Sequence, residues 1–227
     1  MKILTLLVSL AITLFAAQTT ITQIEEGGAR IEPVELPKGI SGIVVHRFDD
    51  EHATIVARAI LTAPDRIRFE VFDALAQPNL PAPKILPQKG DLVILGYLYH
   101  RGAIIAPNYE TYDAIQKRYD LEWVHPDLFA AELAKAHHPA PTKEDFRTFC
   151  NKFALARIFV ALKDHTDVVD CYSFDVIERL DLPSEGNETK LPFYTRIEKI
   201  PTSIFDFFSD EVKDYYSYYT KLVEGER

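Results

Sequence analysis

The chain has 227 residues, of which 47% are apolar and 26% are charged, a composition typical of a globular protein that buries a substantial core. This length allows one large domain or two small ones. The formal net charge is −9, with 25 lysines and arginines scattered among 34 acidic residues and no basic block. General nucleic-acid binding is therefore excluded, because neutralising phosphates requires a basic face.

The N-terminus has the pattern of a secretory signal peptide. Lys2 supplies a positive charge, and an apolar stretch from Ile3 to Phe15 follows it. This stretch is shorter than the roughly 20 residues of a typical membrane-spanning helix. We expect residues 1–17 to be a signal peptide and the protein to be exported to the periplasm or the cell surface. If the signal is not cleaved, the same stretch serves as an N-terminal membrane anchor.

Residues 38–107 have the pattern of a β-rich subdomain. Apolar and polar residues alternate in short runs separated by turn residues, which predicts five strands. These strands cover residues 42–48, 53–61, 67–72, 92–99 and 103–106, and the last two form a hairpin. The prolines between Leu75 and Lys89 cannot lie inside a sheet, so a surface loop is expected there. The strands predict a small bent β-sheet or barrel, and the pattern from Thr19 to Pro33 indicates a further hairpin.

Residues 108–227 change to the pattern of an α/β subdomain. Asn108 can cap one helix, Pro126 begins a second, and Thr142 caps a third. Further strands are predicted at residues 121–124, 158–162, 167–172, 175–182 and 193–200, with a final helix at residues 210–223. The predicted fold class is therefore mixed α+β, in which the small bent sheet or barrel is followed by an α/β layer and a C-terminal helix.

Cys150 and Cys171 are the only cysteines in the chain. A disulfide between them would close a loop of about 22 residues and would stabilise an exported protein by roughly 3 kcal/mol in the chain-entropy model. Cys150 also belongs to a helical apolar stripe with Phe146, Phe149 and Phe153, where a free thiol packs as a small apolar group. The sequence leaves both states open.

The histidines and carboxylates do not show a known catalytic or metal-binding spacing. Seven histidines are present, but there is no His-x-x-x-His or Cys-x-x-Cys pair, no phosphate-binding glycine loop and no Gly-x-Ser-x-Gly turn. His125, Asp127 and Asp170 would approach one another if the strands run as predicted. We expect a packing or capping role for His125 and solvated positions for His137 and His138. We predict that the chain is not an enzyme and that it binds no metal or cofactor.

The final helix carries a candidate partner-binding surface. It consists of Tyr215, Tyr216, Tyr218 and Tyr219 with Lys221 beside them. Tyrosine is favoured at protein interfaces because its ring is apolar and its hydroxyl is polar. Four tyrosines at this spacing also wrap most of a helix, so packing of one side in the core is the alternative.

Four separated segments carry a family resemblance. They are Ser41-Gly42-Ile43-Val44-Val45-His46, Phe72-Asp73-Ala74-Leu75, His125-Pro126-Asp127-Leu128-Phe129-Ala130-Ala131 and Phe146-Arg147-Thr148-Phe149-Cys150. Together they resemble the N-terminal domain of the bacterial plasminogen-binding surface proteins, over residues 40–180. The resemblance implies an exported, non-catalytic protein whose partner is plasminogen, bound when kringle domains capture a C-terminal lysine. It implies nothing about the fold.

The C-terminus departs from that pattern, because the sequence ends Glu224-Gly225-Glu226-Arg227 without a terminal lysine. The planar guanidinium of arginine is wider than the ammonium group of lysine and does not replace it equally. Plasminogen binding is therefore expected to be weak, with Lys213 or Lys221 as partial substitutes. A periplasmic scaffold or assembly factor that binds an envelope protein is the alternative function. A hydrolase with an unrecognised site is the third.

Overall fold

The computed structural model describes residues 16–74, 85–198 and 211–225. The first of its two sheets is a closed barrel of β1 (Ala17–Glu25), β2 (Gly28–Ile31), β3 (Ser41–Arg47), β4 (Ala53–Ala63), β5 (Arg66–Glu70) and β6 (Leu92–Leu95). The second sheet contains β7 (Arg101–Ile105), β8 (Glu122–Val124), β9 (Arg157–Ala161), β10 (Thr166–Asp170) and β11 (Val176–Leu180). The helices are α1 (Tyr109–Arg118), α2 (Pro126–Ala136), α3 (Lys143–Phe153) and α4 (Tyr215–Glu224). The predicted mixed α+β fold is confirmed.

The barrel closes because β6 pairs with β1 on one side and with β3 on the other, in the order β1-β2-β5-β4-β3-β6. All six neighbouring pairs are antiparallel. Ile21, Val44, Leu61 and Val93 are buried in its core. The register shifts near the first three of these residues, and such bulges bend strands enough to help a small sheet close. The hairpin predicted within residues 19–33 is confirmed as β1 and β2.

Two glycines permit strands of the barrel to approach closely. A Cβ atom added to Gly42 would collide with the carbonyl oxygen of Ile94, and one added to Gly28 would collide with that of Ile67. Because the colliding atoms belong to the backbone of paired strands, a larger residue at either position would push the strands apart. This close approach explains why glycine follows serine at the start of β3.

The hairpin predicted from residues 92–99 and 103–106 is wrong. β6 closes the barrel, whereas β7 lies in the second sheet between β8 and β9. Both runs are short and mainly apolar, so their local pattern does not distinguish a hairpin from two strands of different sheets. The predicted strand at residues 193–200 is also not formed over residues 193–198, and its last two residues lie outside the described ranges.

The second sheet has the order β11-β10-β9-β7-β8. β7 is parallel to β8 and β9, whereas β10 and β11 continue the sheet in antiparallel fashion. Helices connect the parallel strands, as crossovers require. The predicted helix starts are confirmed: the Asn108 side chain accepts from the Thr111 amide, Pro126 opens α2, and Thr142 forms a reciprocal capping box with Asp145.

The N-terminal strand begins at the last residue of the predicted signal peptide. Residues 1–15, which include most of that peptide, lie outside the described residues, and Ala17 opens β1. Two strands of the barrel, β1 and β2, therefore precede residue 38, at which the predicted β-rich subdomain begins. The chain passes from the barrel to the second sheet between β6 and β7. Among the helices of the described ranges, none has both the length and the apolar character needed to cross a membrane.

Candidate binding cleft between the barrel and helix α3

A charged cleft of about 260 Å³ lies where the barrel meets α3. Its walls come from β4, from the end of β5 and the residues after it, from α3, and from the turn that follows β10. The polar residues that line it are Arg58, Glu70, Asp73, Arg147, Asn151 and Tyr172. We refer to these six residues as the barrel-helix cleft.

Arg58 supplies a buried cation to the cleft. It lies in the largely apolar strand β4 and is only 4% exposed. Its guanidinium carbon lies 3.2 Å from the ring centre of Tyr172 and 5.3 Å from that of Phe72. Nη2 donates to Oδ1 of Asn151 at 3.2 Å and lies 3.9 Å from a carboxylate oxygen of Asp73. Because guanidinium groups stack on aromatic faces, these contacts hold the cation in one orientation.

Arg147 joins α3 to the barrel. Its Nη2 donates to Oε2 of Glu70 at 2.8 Å and to the carbonyl oxygen of Tyr172 at 2.6 Å. Glu70 is also paired with Arg68 on the same strand. The Arg147 side chain is 36% exposed, so solvent screens these ion pairs and their contribution to stability is small. Their main effect is to fix the position of the guanidinium at the cleft.

A disulfide between Cys150 and Cys171 adjoins the cleft, with 6.1 Å between the two Cα atoms. Both cysteines are buried. Asn151 and Tyr172 each follow one of them in the sequence, so the bond fixes two walls of the cleft relative to each other. Covalent and charged contacts thus form the cleft before any partner arrives, which lowers the cost of ordering side chains on binding.

Asp170, at the end of β10, joins the second sheet to the barrel and is completely buried. Its Oδ2 accepts from the Ser41 amide at 3.0 Å, from the Ser41 hydroxyl at 2.6 Å and from the Tyr99 hydroxyl at 2.6 Å. Its Oδ1 accepts from the amides of Tyr172 and Ser173 at 2.8 and 2.9 Å. Burial and the neighbouring Asp170 charge raise the pKa of Tyr99 well above its ordinary value. The five hydrogen bonds that Asp170 accepts compensate the cost of burying its charge.

The predicted approach of His125, Asp127 and Asp170 is wrong. His125 and Asp127 follow β8 and lie together at the carboxyl end of the parallel strands. Asp170 lies at the other end, because β10 is antiparallel to β9 and Asp170 pairs with Arg157 at the start of β9. Nδ1 of His125 accepts from the Asp127 amide at 3.1 Å and caps α2, which is the capping role expected from the sequence. Burial lowers the pKa of His125.

The chain itself covers the carboxyl end of β7, where α/β sheets commonly bind ligands. The covering segment is residues 184–195. Within it, the Lys190 amide donates to the carbonyl of Pro107 at 2.7 Å. The Asn108 side chain donates to the carbonyl of Glu185 at 2.7 Å. This edge of the sheet is therefore filled by protein, which directs attention to the barrel-helix cleft.

The structure divides the candidate surface on α4. Tyr215 and Tyr219 are completely buried, so they cannot contact a partner, and the prediction is corrected for these two residues. Burial raises the pKa of both well above its ordinary value. Tyr216 and Tyr218 are half-buried and Lys221 is exposed. The two buried tyrosines are four residues apart and therefore share the helix face that packs on the core.

The structure also brings together three ligand-type residues that are separated in the sequence. The ligand atoms of His165, Asp167 and Glu224 lie within 4.8 Å of one another. Arg179 donates to Asp167 at 2.8 Å and to Glu224 at 2.6 Å, so a guanidinium supplies the positive charge between the carboxylates. This cluster is therefore an ion-pair network that joins α4 to β10 and β11.

Sequence reasoning missed Arg58 and Arg147 as site residues. A signal was present for Arg58, because an arginine within an apolar strand needs partners when it is buried. Arg147 lies inside a segment that carries the family resemblance, yet its partner Glu70 is 77 residues away in the chain. Local spacing cannot reveal such a pair.

The comparisons with known proteins agree with one another. A model of the family described as "Plasminogen-binding protein pgbA N-terminal" matches residues 16–223. Two curated relatives, both named plasminogen-binding protein PgbA, come from Helicobacter pylori strains J99 and 26695. Each is 27% identical over 243 residues, which cover 99% of this chain and 53% of the relative.

The chain thus spans about half the length of the curated relatives it matches. No solved structure matches the chain. The family match nevertheless extends from the first described strand to the last turn of α4. The chain therefore belongs to the family of plasminogen-binding protein pgbA N-terminal domains.

Proposed function

We propose that this chain is an exported, non-catalytic binding protein that contacts a protein partner through a surface including the barrel-helix cleft. Family membership carries the proposal, since the curated relatives are named for binding plasminogen. The cleft supports it, because a preformed concave surface with fixed polar groups suits recognition. Plasminogen is the proposed partner.

Two features support export. The Cys150–Cys171 disulfide suits an oxidising compartment such as the periplasm or the cell exterior. Lys2 and the apolar stretch to Phe15 have the pattern of a signal peptide, and we propose cleavage after residue 17. Mass spectrometry of the protein from fractionated cells tests this proposal. The expected N-terminus is Gln18 in an exported fraction, and retention of Met1 in the cytoplasm would contradict export.

The non-catalytic part of the proposal rests on how the ionisable groups are used. Asp170 accepts five hydrogen bonds at the junction of the two sheets. Asp127 accepts from the Arg196 amide at 2.8 Å, from the Thr195 hydroxyl at 2.8 Å and from the Arg196 side chain at 2.6 Å. Burial would raise the pKa of Asp127, but these bonds outweigh it, and the pKa lies below its ordinary value. Carboxylates held in this way stabilise the fold.

Surface plasmon resonance with the full chain immobilised and plasminogen in solution tests the proposal. Saturable binding is the expected result. A second series contains a lysine analogue: loss of binding would assign recognition to a lysine of this chain, and persistence would assign it to another surface such as the cleft. A flat response to plasminogen, with an envelope protein recovered when the full chain is used as bait, would favour the scaffold function instead.

A further inference from the structure

The arginines of the barrel-helix cleft have more N–H donors than are bonded to acceptors of the cleft. Each guanidinium group has five N–H donors. Among the described residues, Arg58 bonds Asn151 through Nη2 alone, and Arg147 bonds Glu70 and the Tyr172 carbonyl through Nη2 alone. Arg58 is only 4% exposed and also interacts with the Tyr172 hydroxyl, but its other nitrogens are not among the buried unpaired atoms of these residues, and Arg58 lines the cleft. Both arginines therefore keep donors for a guest.

The charges around the cleft favour a guest with a single negative charge. The lining of the cleft has two arginines, Arg58 and Arg147, and two carboxylates, Glu70 and Asp73, and a third arginine beside it, Arg68, is paired with Glu70. One positive charge remains, in a chain whose formal net charge is −9. A group with two or more negative charges would be repelled by the two carboxylates, whereas a monoanion matches the excess.

The size of the cleft restricts the guest further. Its volume of about 260 Å³ is below the roughly 300–1,000 Å³ of pockets that enclose drug-sized ligands. A single side chain or a chain end fits a space of this size. Val71, which is 83% exposed, lies at the cleft and offers an apolar contact to the chain that carries the guest.

We propose that the barrel-helix cleft binds a carboxylate presented by a protein partner, in the form of an acidic side chain. Planar guanidinium groups match the geometry of carboxylates, and the aromatic and ionic contacts already hold Arg58 and Arg147 in place. This inference rests on the proposed function, because it names the chemical group through which the protein partner is recognised. In the free protein, Asp73 lies 3.9 Å from Arg58 and competes with the guest.

Nuclear magnetic resonance titration of the full ¹⁵N-labelled chain tests this inference with three probes. The first is acetyl-Gly-Glu-Gly-amide, which has a side-chain carboxylate. The second is acetyl-Gly-Gln-Gly-amide, which has the same shape without the charge. The third is acetyl-Gly-Gly with a free terminal carboxylate. We expect the Glu peptide to shift the Nε–H signals of Arg58 and Arg147 saturably and the Gln peptide to leave them unchanged. Tighter binding of the third probe than of the Glu peptide would show that the cleft recognises the carboxylate of a chain end rather than that of a side chain.

Three variants sharpen the test. Arg147→Gln should weaken binding of the Glu peptide about tenfold, the effect of losing one charge-assisted hydrogen bond. Arg30→Gln is the matched control, because Arg30 is similarly exposed, 42% against 36%, and is also paired with a glutamate. Asp73→Asn should tighten binding several-fold by removing the competing carboxylate. The Asp73 side chain is 56% exposed, so this variant should fold normally.

Two results would overturn the inference. One is equal shifts with the Glu and Gln peptides, or no shift with any probe. The other is unchanged or weaker binding by a folded Asp73→Asn variant. Failure of the titration while plasminogen still binds in surface plasmon resonance would refute the cleft as receptor and leave the proposed function intact. Success of the titration without plasminogen binding would uphold the cleft and refute plasminogen as partner.

Discussion

Replacing Asp170 by asparagine should weaken the junction between the barrel and the second sheet. The substitution preserves size and shape but removes the charge and one acceptor oxygen. Oδ2 receives three hydrogen bonds and Oδ1 receives two. An NH₂ group in place of Oδ1 would face two backbone N–H groups, those of Tyr172 and Ser173. In place of Oδ2 it would face the Ser41 N–H and two hydroxyls, which can turn to accept from it, so at least one buried N–H group loses its acceptor.

The size of the effect follows from these bonds. In the less costly orientation one buried N–H group is left unpaired, which costs about 1–3 kcal/mol, and the other four hydrogen bonds are no longer made to a charged group, which weakens each by about 1 kcal/mol. Removing a buried charge offsets part of this loss, because the carboxylate no longer has to be desolvated. We expect the free energy of unfolding to fall by about 3–4 kcal/mol. Ser41→Ala should cost less, about 1.5 kcal/mol, because it removes one hydroxyl donor and keeps the amide.

Urea unfolding measures this change, followed by circular dichroism and by the fluorescence of Trp123, the only tryptophan. Asp164→Asn is the control, because Asp164 is an exposed carboxylate near the end of β9 and should leave the midpoint unchanged. A loss of less than about 1 kcal/mol for Asp170→Asn, the size of an ordinary substitution, would show that this carboxylate does not hold the two sheets together.

Three further changes have defined outcomes. Replacing Cys150 and Cys171 by alanine should lower the free energy of unfolding by about 3 kcal/mol, since the bond joins residues 21 apart; an unchanged urea midpoint would contradict this. Tyr215→Phe should cost about 1 kcal/mol by removing the donor to the last carbonyl of β7, whereas Tyr216→Phe should cost nothing; equal midpoints would refute the assignment of the buried face. Asp127→Asn should destabilise the protein more at pH 7 than at pH 2. The folded pKa of Asp127 lies below the unfolded value of about 3.9. The carboxylate therefore stabilises the fold above about pH 3.9, and this stabilisation is lost as the pH falls through the folded pKa. A difference in unfolding free energy between variant and wild type that does not change with pH would contradict this.

Local sequence patterns predicted the elements whose stabilising contacts are local. The capping box at Thr142 and the stripe of Phe146, Phe149 and Cys150 specify α3 within one short segment, and the structure has this helix with all three residues of the stripe buried. Alternation and turn residues likewise predicted the strands of the barrel. These signals act over a few residues, so they can be read without knowledge of the tertiary fold.

Contacts between distant segments could not be predicted in this way. Ser41 and Asp170 are 129 residues apart, and Arg147 and Glu70 are 77 residues apart. Whether β6 pairs with β7 or with β1 depends on which apolar faces meet, and both runs satisfy either pairing locally. For α4, the tyrosine pattern did not decide which side is buried, because apolar rings surround most of the helix. The cleft is built almost entirely from such distant contacts.

Hydrogen–deuterium exchange of the full chain, with and without saturating plasminogen, tests the central claim most directly. The amides of α3 and of the adjoining strands β4 and β5 should exchange more slowly in the complex, because they form the walls of the barrel-helix cleft. Exchange on the other side of the barrel, where β1 pairs with β6, should not change. Protection confined to α4, or no protection anywhere, would contradict binding through the cleft.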